Sequence, residues 1–99
     1  MIVGVIGAGA SGMAAALAAA QNPDVQVLLF ERQARLGRKL QATGNGRCNL
    51  TTLHAAYGGY HGDNLEFAQR ALHDFDPAMT RRWFQHLGLF TVAEESGRV

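Results

Sequence analysis

The chain has 99 residues, 47% of them hydrophobic, enough for one packed domain. Nine Lys and Arg against eight Asp and Glu leave a formal net charge of +1, which excludes a global attraction to nucleic acid or to a membrane surface. The lone cysteine, Cys48, excludes an internal disulfide and a multi-cysteine metal centre, and it fits a reducing cytoplasm.

Ile2-Val3-Gly4-Val5-Ile6 is a β-branched run suited to a strand buried on both faces. Ala10 to Ala20 is helix-favouring, with small side chains that let a helix lie close on a sheet, and Asn22-Pro23-Asp24 ends it. No basic residue follows Met1, and Gly4, Gly7, Gly9 and Gly12 interrupt the apolar start, so neither a secretory signal nor a membrane helix fits. A soluble, cytoplasmic protein is expected. Val25 to Phe30 is a second apolar run of strand length. Strand, helix and strand make a βαβ unit with a parallel pair, so the fold class is α/β and Rossmann-like, with its core in residues 1–31.

Residues 32–63 change character: Gly, Thr, Asn and cations with no sustained period, a connection too long for a compact domain unless it has a task. Arg32, Arg35, Arg38, Lys39 and Arg47 place five of the nine cations within sixteen residues. A helical segment is expected over 64–88. Asp63 with Glu66 suggests a capping box, and Phe67, Ala68, Ala71, Leu72 and Phe75 share one face. Asp76-Pro77 opens a second helix with Met79, Trp83, Phe84 and Leu87 inward and Gly88 at its end. Trp83 and Phe84 are expected in the core. Leu89 to Val92 suggests a strand, and Glu94-Glu95-Ser96-Gly97 a turn into a hairpin that fills residues 89–99. Two strands are fewer than a doubly wound sheet normally has, so the chain is expected to be the amino-terminal part of a larger, two-domain protein.

Gly7-Ala8-Gly9-Ala10-Ser11-Gly12 matches G-x-G-x-x-G after a strand and before a helix, and Glu31 stands nineteen residues beyond Gly12 at the end of the next strand. Gly7 permits the tight turn, Gly9 lets the backbone approach a diphosphate, and Gly12 lets helix and strand pack closely. The N–H groups near Ala10 and Ser11 point toward the phosphates from the positive end of the helix, and Glu31 can accept from the adenosine ribose hydroxyls. An acid there opposes the 2′-phosphate of NADP, although Arg32 is a cation beside it. The fingerprint alone does not choose between FAD and NAD, and an NAD-dependent dehydrogenase remains an alternative. The segment behind Glu31 suits a flavin better: Gly37, Gly44 and Gly46 allow close backbone approach, Arg38 and Lys39 can neutralise diphosphate charge, and Thr43, Asn45 and Asn49 offer hydrogen bonds to ring atoms.

"GAGASGMAAALAAA", "ERQARLGRKL" and "TGNGRCNLT", with the closing "GLFTVAEESGRV", resemble the BaiN/RdsA family of bacterial FAD-dependent oxidoreductases, over nearly the whole chain. The resemblance implies an FAD-binding Rossmann domain in a flavoprotein several times longer. Two-electron hydride transfer would draw on NAD(P)H, and a small-molecule or RNA substrate would be held mainly by regions not in this chain. A flavin-dependent, dihydrouridine-forming enzyme is one form of that activity. The candidate cofactor-binding set is Gly7, Gly9, Ala10, Ser11, Gly12, Glu31, Arg32, Arg38, Lys39, Thr43, Asn45, Gly46 and Arg47. Arg47 suits three tasks equally: charge near the flavin ring, a salt bridge to Glu31, or holding the loop. Cys48 is expected as a small buried loop residue. His54 and His61 suit a mobile surface loop, and His73 and His86 solvent-facing helix positions. Arg81 and Arg82 suit a solvated helix face, and no spacing suggests a metal centre.

Overall fold

Ile2–Ile6 forms strand β1 and Gln26–Phe30 strand β2, joined by helix α1 over Ala10–Ala19. The strands pair in parallel with Ile2 opposite Gln26 and Ile6 opposite Phe30. A parallel pair needs a crossover, and α1 provides it, packing on both strands. The computed structural model describes residues 1–43, 47–55 and 58–99, which fall into two units, Met1–Cys48 and Asn49–Val99.

The first unit is the expected α/β, Rossmann-like βαβ arrangement. Its ladder continues past both ends of β1, through Gln26 N–H to Met1 O at 2.9 Å and Gly7 N–H to Phe30 O at 2.7 Å. Ala-rich α1 needs little side-chain entropy to form and ends in a series of tight turns. Asn22 Oδ1 accepts from Asp24 N at 3.0 Å, and Val25 N donates to Asn22 O at 3.1 Å, which turns the chain into β2.

One expectation for β1 fails here. Val3, Val5, Val27 and Leu29 are half-buried on the α1 side, whereas Ile2, Ile6, Leu28 and Phe30 on the other face are exposed. An unbroken apolar run shows that a strand suits burial on both faces, not that both faces are covered. The long connection also holds an unforeseen helix, α2, over Arg38–Ala42.

The second unit contains helices α3, Leu65–Asp74, and α4, Pro77–His86. Asn64, rather than Asp63, caps α3: its Oδ1 accepts from Phe67 N at 3.1 Å, and Glu66 instead pairs with Arg70 at 2.6 Å. Both residue types cap well, so the register of the cap was not decidable from type. Asp76 caps α4, its Oδ1 accepting from Met79 N at 2.7 Å with Pro77 in the first turn. Gly88 follows the helix with φ of 87°, the left-handed conformation of a helix stop. Trp83 and Phe84 meet edge to face with centroids 4.9 Å apart, but they are half-buried and not core; Phe67, Phe75 and Leu87 are exposed. Among the described residues the buried apolar side chains are Ala8, Ala16, Ala55, Pro77 and Val99, with no large aliphatic or aromatic core.

Leu89 to Val92 does not form the expected strand; Arg81 holds this stretch, its Nε donating to Thr91 Oγ1 at 3.0 Å. The turn at Glu94–Gly97 is present, closed by Gly97 N to Glu94 O at 2.9 Å. The returning residues pair elsewhere: Arg98 bridges Thr52 in antiparallel fashion, and Val99 N donates to Thr51 O at 2.9 Å. No described helix is long and apolar enough to cross a membrane.

Candidate functional site

The turn leaving β1 is built by its glycines. Gly7 has φ of 94°, a conformation that L side chains rarely adopt. A Cβ on Gly12 would stand 1.8 Å from Gly7 O, so α1 rests on this turn only because residue 12 has no side chain. Gly9 differs from both. It is the N-cap of α1, it offers no side-chain cap to the helix, and a Cβ built on it meets nothing within 4 Å.

Ala8, between the first two glycines, is fully buried and joins three segments. Its N–H donates to Glu31 Oε2 at 2.9 Å, and its carbonyl accepts from Gly37 N at 2.9 Å. Gln33 N donates to Glu31 Oε1 at 2.8 Å, while Gln33 Oε1 accepts from Arg38 Nη1 at 3.2 Å. The hydrogen bonds close a ring that runs from the glycine turn through the acid and Gln33 to α2 and back to Ala8. The N–H groups of Gln33 and then of Ala8 hold the Glu31 carboxyl below its ordinary 4.5, against a smaller opposing effect of burial.

Gly9, Ala10, Glu31, Arg32, Arg38, Lys39 and Thr43 line one open cleft of about 710 Å³, with Gln33, Arg35 and Leu40. Gly7 lines a neighbouring hollow of about 500 Å³ with Ile6, Phe30, Glu31 and Arg32. Of the other described candidates, Ser11 lies in the first turn of α1, Gly12 lies under the turn, and Arg47 is exposed; none of these three lines the cleft. Asn45 and Gly46, like Gly44 and Tyr57, lie outside the described residues. Cys48 is exposed rather than buried. His73 and His86 are solvent-facing, as expected.

Sequence reasoning missed Ala8, Gln33 and Arg35. An alanine in the variable position of G-x-G carries no signal of its own, because both of its hydrogen bonds come from its backbone.

A parallel strand pair whose first turn opens a helix and whose second strand ends in an acid defines a Rossmann-type dinucleotide-binding domain. The family model described as "HI0933-like protein Rossmann domain" matches residues 1–99, and the chain belongs to that family, in keeping with the BaiN/RdsA resemblance read from its motifs. It is 48% identical over 90 residues to a 3-dehydro-bile acid delta(4,6)-reductase of Clostridium scindens, covering 90% of this chain and 22% of that protein. It is 41% identical over 71 residues to a ribosomal RNA dihydrouridine synthase of Escherichia coli, covering 72% and 18%. A Haemophilus influenzae protein of the same description is 35% identical over 68 residues, covering 69% and 17%. The chain therefore spans about a fifth of the length of these curated relatives.

Proposed function

We propose that this chain forms the adenine-dinucleotide part of an FAD site in an oxidoreductase that transfers electrons as hydride. The observation that carries this reading is the ring through Ala8. It ties the acid to the segment that carries Arg38 and Lys39, and all three line one cleft, which supports a ligand with both a ribose diol and a diphosphate. Open space over Gly9 leaves room for a phosphate against the backbone, and the helix N–H groups beside it lack a side-chain cap. The Glu31 oxygens accept from the backbone N–H groups of Ala8 and Gln33, and a carboxylate has further acceptor capacity for a ribose hydroxyl. Arg38 and Lys39 supply positive charge to the same cleft.

FAD, when bound, supplies the hydride-accepting and hydride-donating ring. The residues of this chain bind and orient it and set the charge around its diphosphate. The names of the relatives, a reductase and two dihydrouridine synthases, support reduction of a carbon–carbon double bond in a small ring compound or in RNA. NAD(P)H is the electron source in this reading, and the lone cysteine fits a cytoplasmic setting.

The test is direct titration with FAD, NAD and NADP, together with release and chromatography of any cofactor that co-purifies. FAD is expected to bind most tightly and NADP least, because its 2′-phosphate would face Glu31. A colourless protein that binds NADH and leaves FAD free would replace this reading with that of an NAD-dependent dehydrogenase.

A further inference from the structure

Gly37 touches none of the cleft's open volume, yet three observations meet on it. It is buried, its φ is 61°, and its N–H is committed to Ala8 O at 2.9 Å. A Cβ added there would stand 3.1 Å from Met13 Cε, so the side chain of α1 closes over it. The next two residues are Arg38 and Lys39, both on the cleft wall. Gln41 N returns to Gly37 O at 3.0 Å, so α2 grows directly from this glycine.

We propose that Gly37 is a positioning residue for the cofactor: the clasp of its N–H on Ala8 and its left-handed backbone under Met13 aim Arg38 and Lys39 at the diphosphate. The inference rests on the FAD reading above and concerns a residue that need not touch the cofactor. Its physics is simple. A five-residue helix cannot hold its own direction, since helices this short are marginal in isolation. Something outside it must fix the two cations, and the bond to Ala8 ties them to the same residue that holds Glu31. A side chain at residue 37 must either accept a left-handed backbone or release the clasp. Release leaves both cations in the chain but not on the cleft wall.

The test is a thermodynamic cycle on the full chain. FAD affinity is read from quenching of flavin fluorescence, and amide hydrogen exchange is measured at residue 37. Gly37→Ala is expected to weaken FAD binding by about 5- to 30-fold, the range set by left-handed strain on an ordinary residue. Gly37→Asn, which tolerates that conformation better, should lose less and provides a variant that folds if alanine does not. In an Arg38→Ala/Lys39→Ala background, Gly37→Ala should cost no further FAD affinity while still speeding exchange at residue 37. An equal loss with and without the two cations would make Gly37 merely structural and overturn the proposal, as would unchanged affinity in Gly37→Ala. Equal FAD affinity of the wild-type and Arg38→Ala/Lys39→Ala chains, with the residue-37 amide protected in both, would instead sink the cofactor reading and leave only the clasp.

Discussion

Substituting alanine at Gly12 and at Gly9 separates packing from ligand approach within one motif. At Gly12 the new Cβ would sit 1.8 Å from Gly7 O, a backbone atom that cannot swing aside. Restoring ordinary contact at 3.4 Å moves α1 off the turn by roughly 1.6 Å, and overpacking of this kind costs typically 1–3 kcal/mol or more. Replacing a helical glycine by alanine returns about 1 kcal/mol of propensity. The clash wins, and because the atom met is backbone the upper end of its range applies, for a net loss of about 2 kcal/mol. For a chain of this size that lowers the melting temperature by about 8–16 °C. At Gly9 the Cβ meets nothing within 4 Å, and φ of −78° with ψ of −173° is open to alanine. Only the poorer N-cap counts there, at about 0.5–1 kcal/mol. FAD affinity should nevertheless fall at least about tenfold in Gly9→Ala, since the methyl occupies the space left for a phosphate. Far-ultraviolet circular dichroism on heating and flavin titration read the two effects separately. A Gly12→Ala protein that melts at or above the wild-type temperature would refute the packing argument, and undiminished FAD binding in Gly9→Ala would refute the approach argument.

Acid titration tests Glu31. Because backbone N–H groups lower its pKa in the folded chain, its contribution is fully present above the ordinary value of 4.5 and is lost as pH falls through the folded value. Glu31→Gln should therefore flatten the decline of melting temperature below pH 4.5, and parallel wild-type and variant curves would deny the linkage. Asp76→Ala removes the cap on Met79 N and should cost about 1 kcal/mol in urea unfolding followed by the neighbouring Trp83, with Asp76→Asn retaining most of it. Gly97→Ala combines φ of 83° with a Cβ 2.6 Å from His54 Cδ2. It should lose about 1–2 kcal/mol from the left-handed backbone alone, seen as faster amide exchange at Leu53 and Val99; unchanged exchange would refute the strain argument, since a ring that turns away relieves only the contact.

The βαβ unit was legible because its signals are local: β-branched runs, an alanine-rich stretch, and glycines at spacings fixed by backbone geometry. α2 was not. Arg-Lys-Leu-Gln-Ala is helix-compatible but too short to show a period, and what holds it is a hydrogen bond to Ala8, far away in sequence. The strand expected at Leu89 to Val92 failed for the opposite reason. Its composition suits a strand, but a strand exists only with a partner, and the residues that pair with 50–53 are Gly97, Arg98 and Val99. The two aromatics of α4 illustrate a third limit. Size and apolarity marked Trp83 and Phe84 for burial, yet burial depends on what packs over a helix, and here both stay half-buried with their rings edge to face.

Among the candidate site residues the same division appears, and it bears on what the cleft can select. Residue type foretold which groups bear charge; only the backbone ring says where each charge stands. With Glu31 held by Ala8 and Gln33, and Arg38 held by Gln33 and the Gly37 turn, the negative and positive groups do not collapse onto one another. Gln33 is the spacer: neutral, it satisfies the guanidinium on one side through its side chain and the carboxylate on the other through its N–H. A direct Glu31–Arg38 ion pair would leave neither charge for a ligand. Kept apart, the carboxylate keeps its capacity to accept hydrogen bonds and to repel an anion, while the guanidinium keeps its positive charge on the cleft. Under the proposed FAD reading, discrimination between dinucleotides would then depend on an uncharged residue that no cofactor-binding motif names.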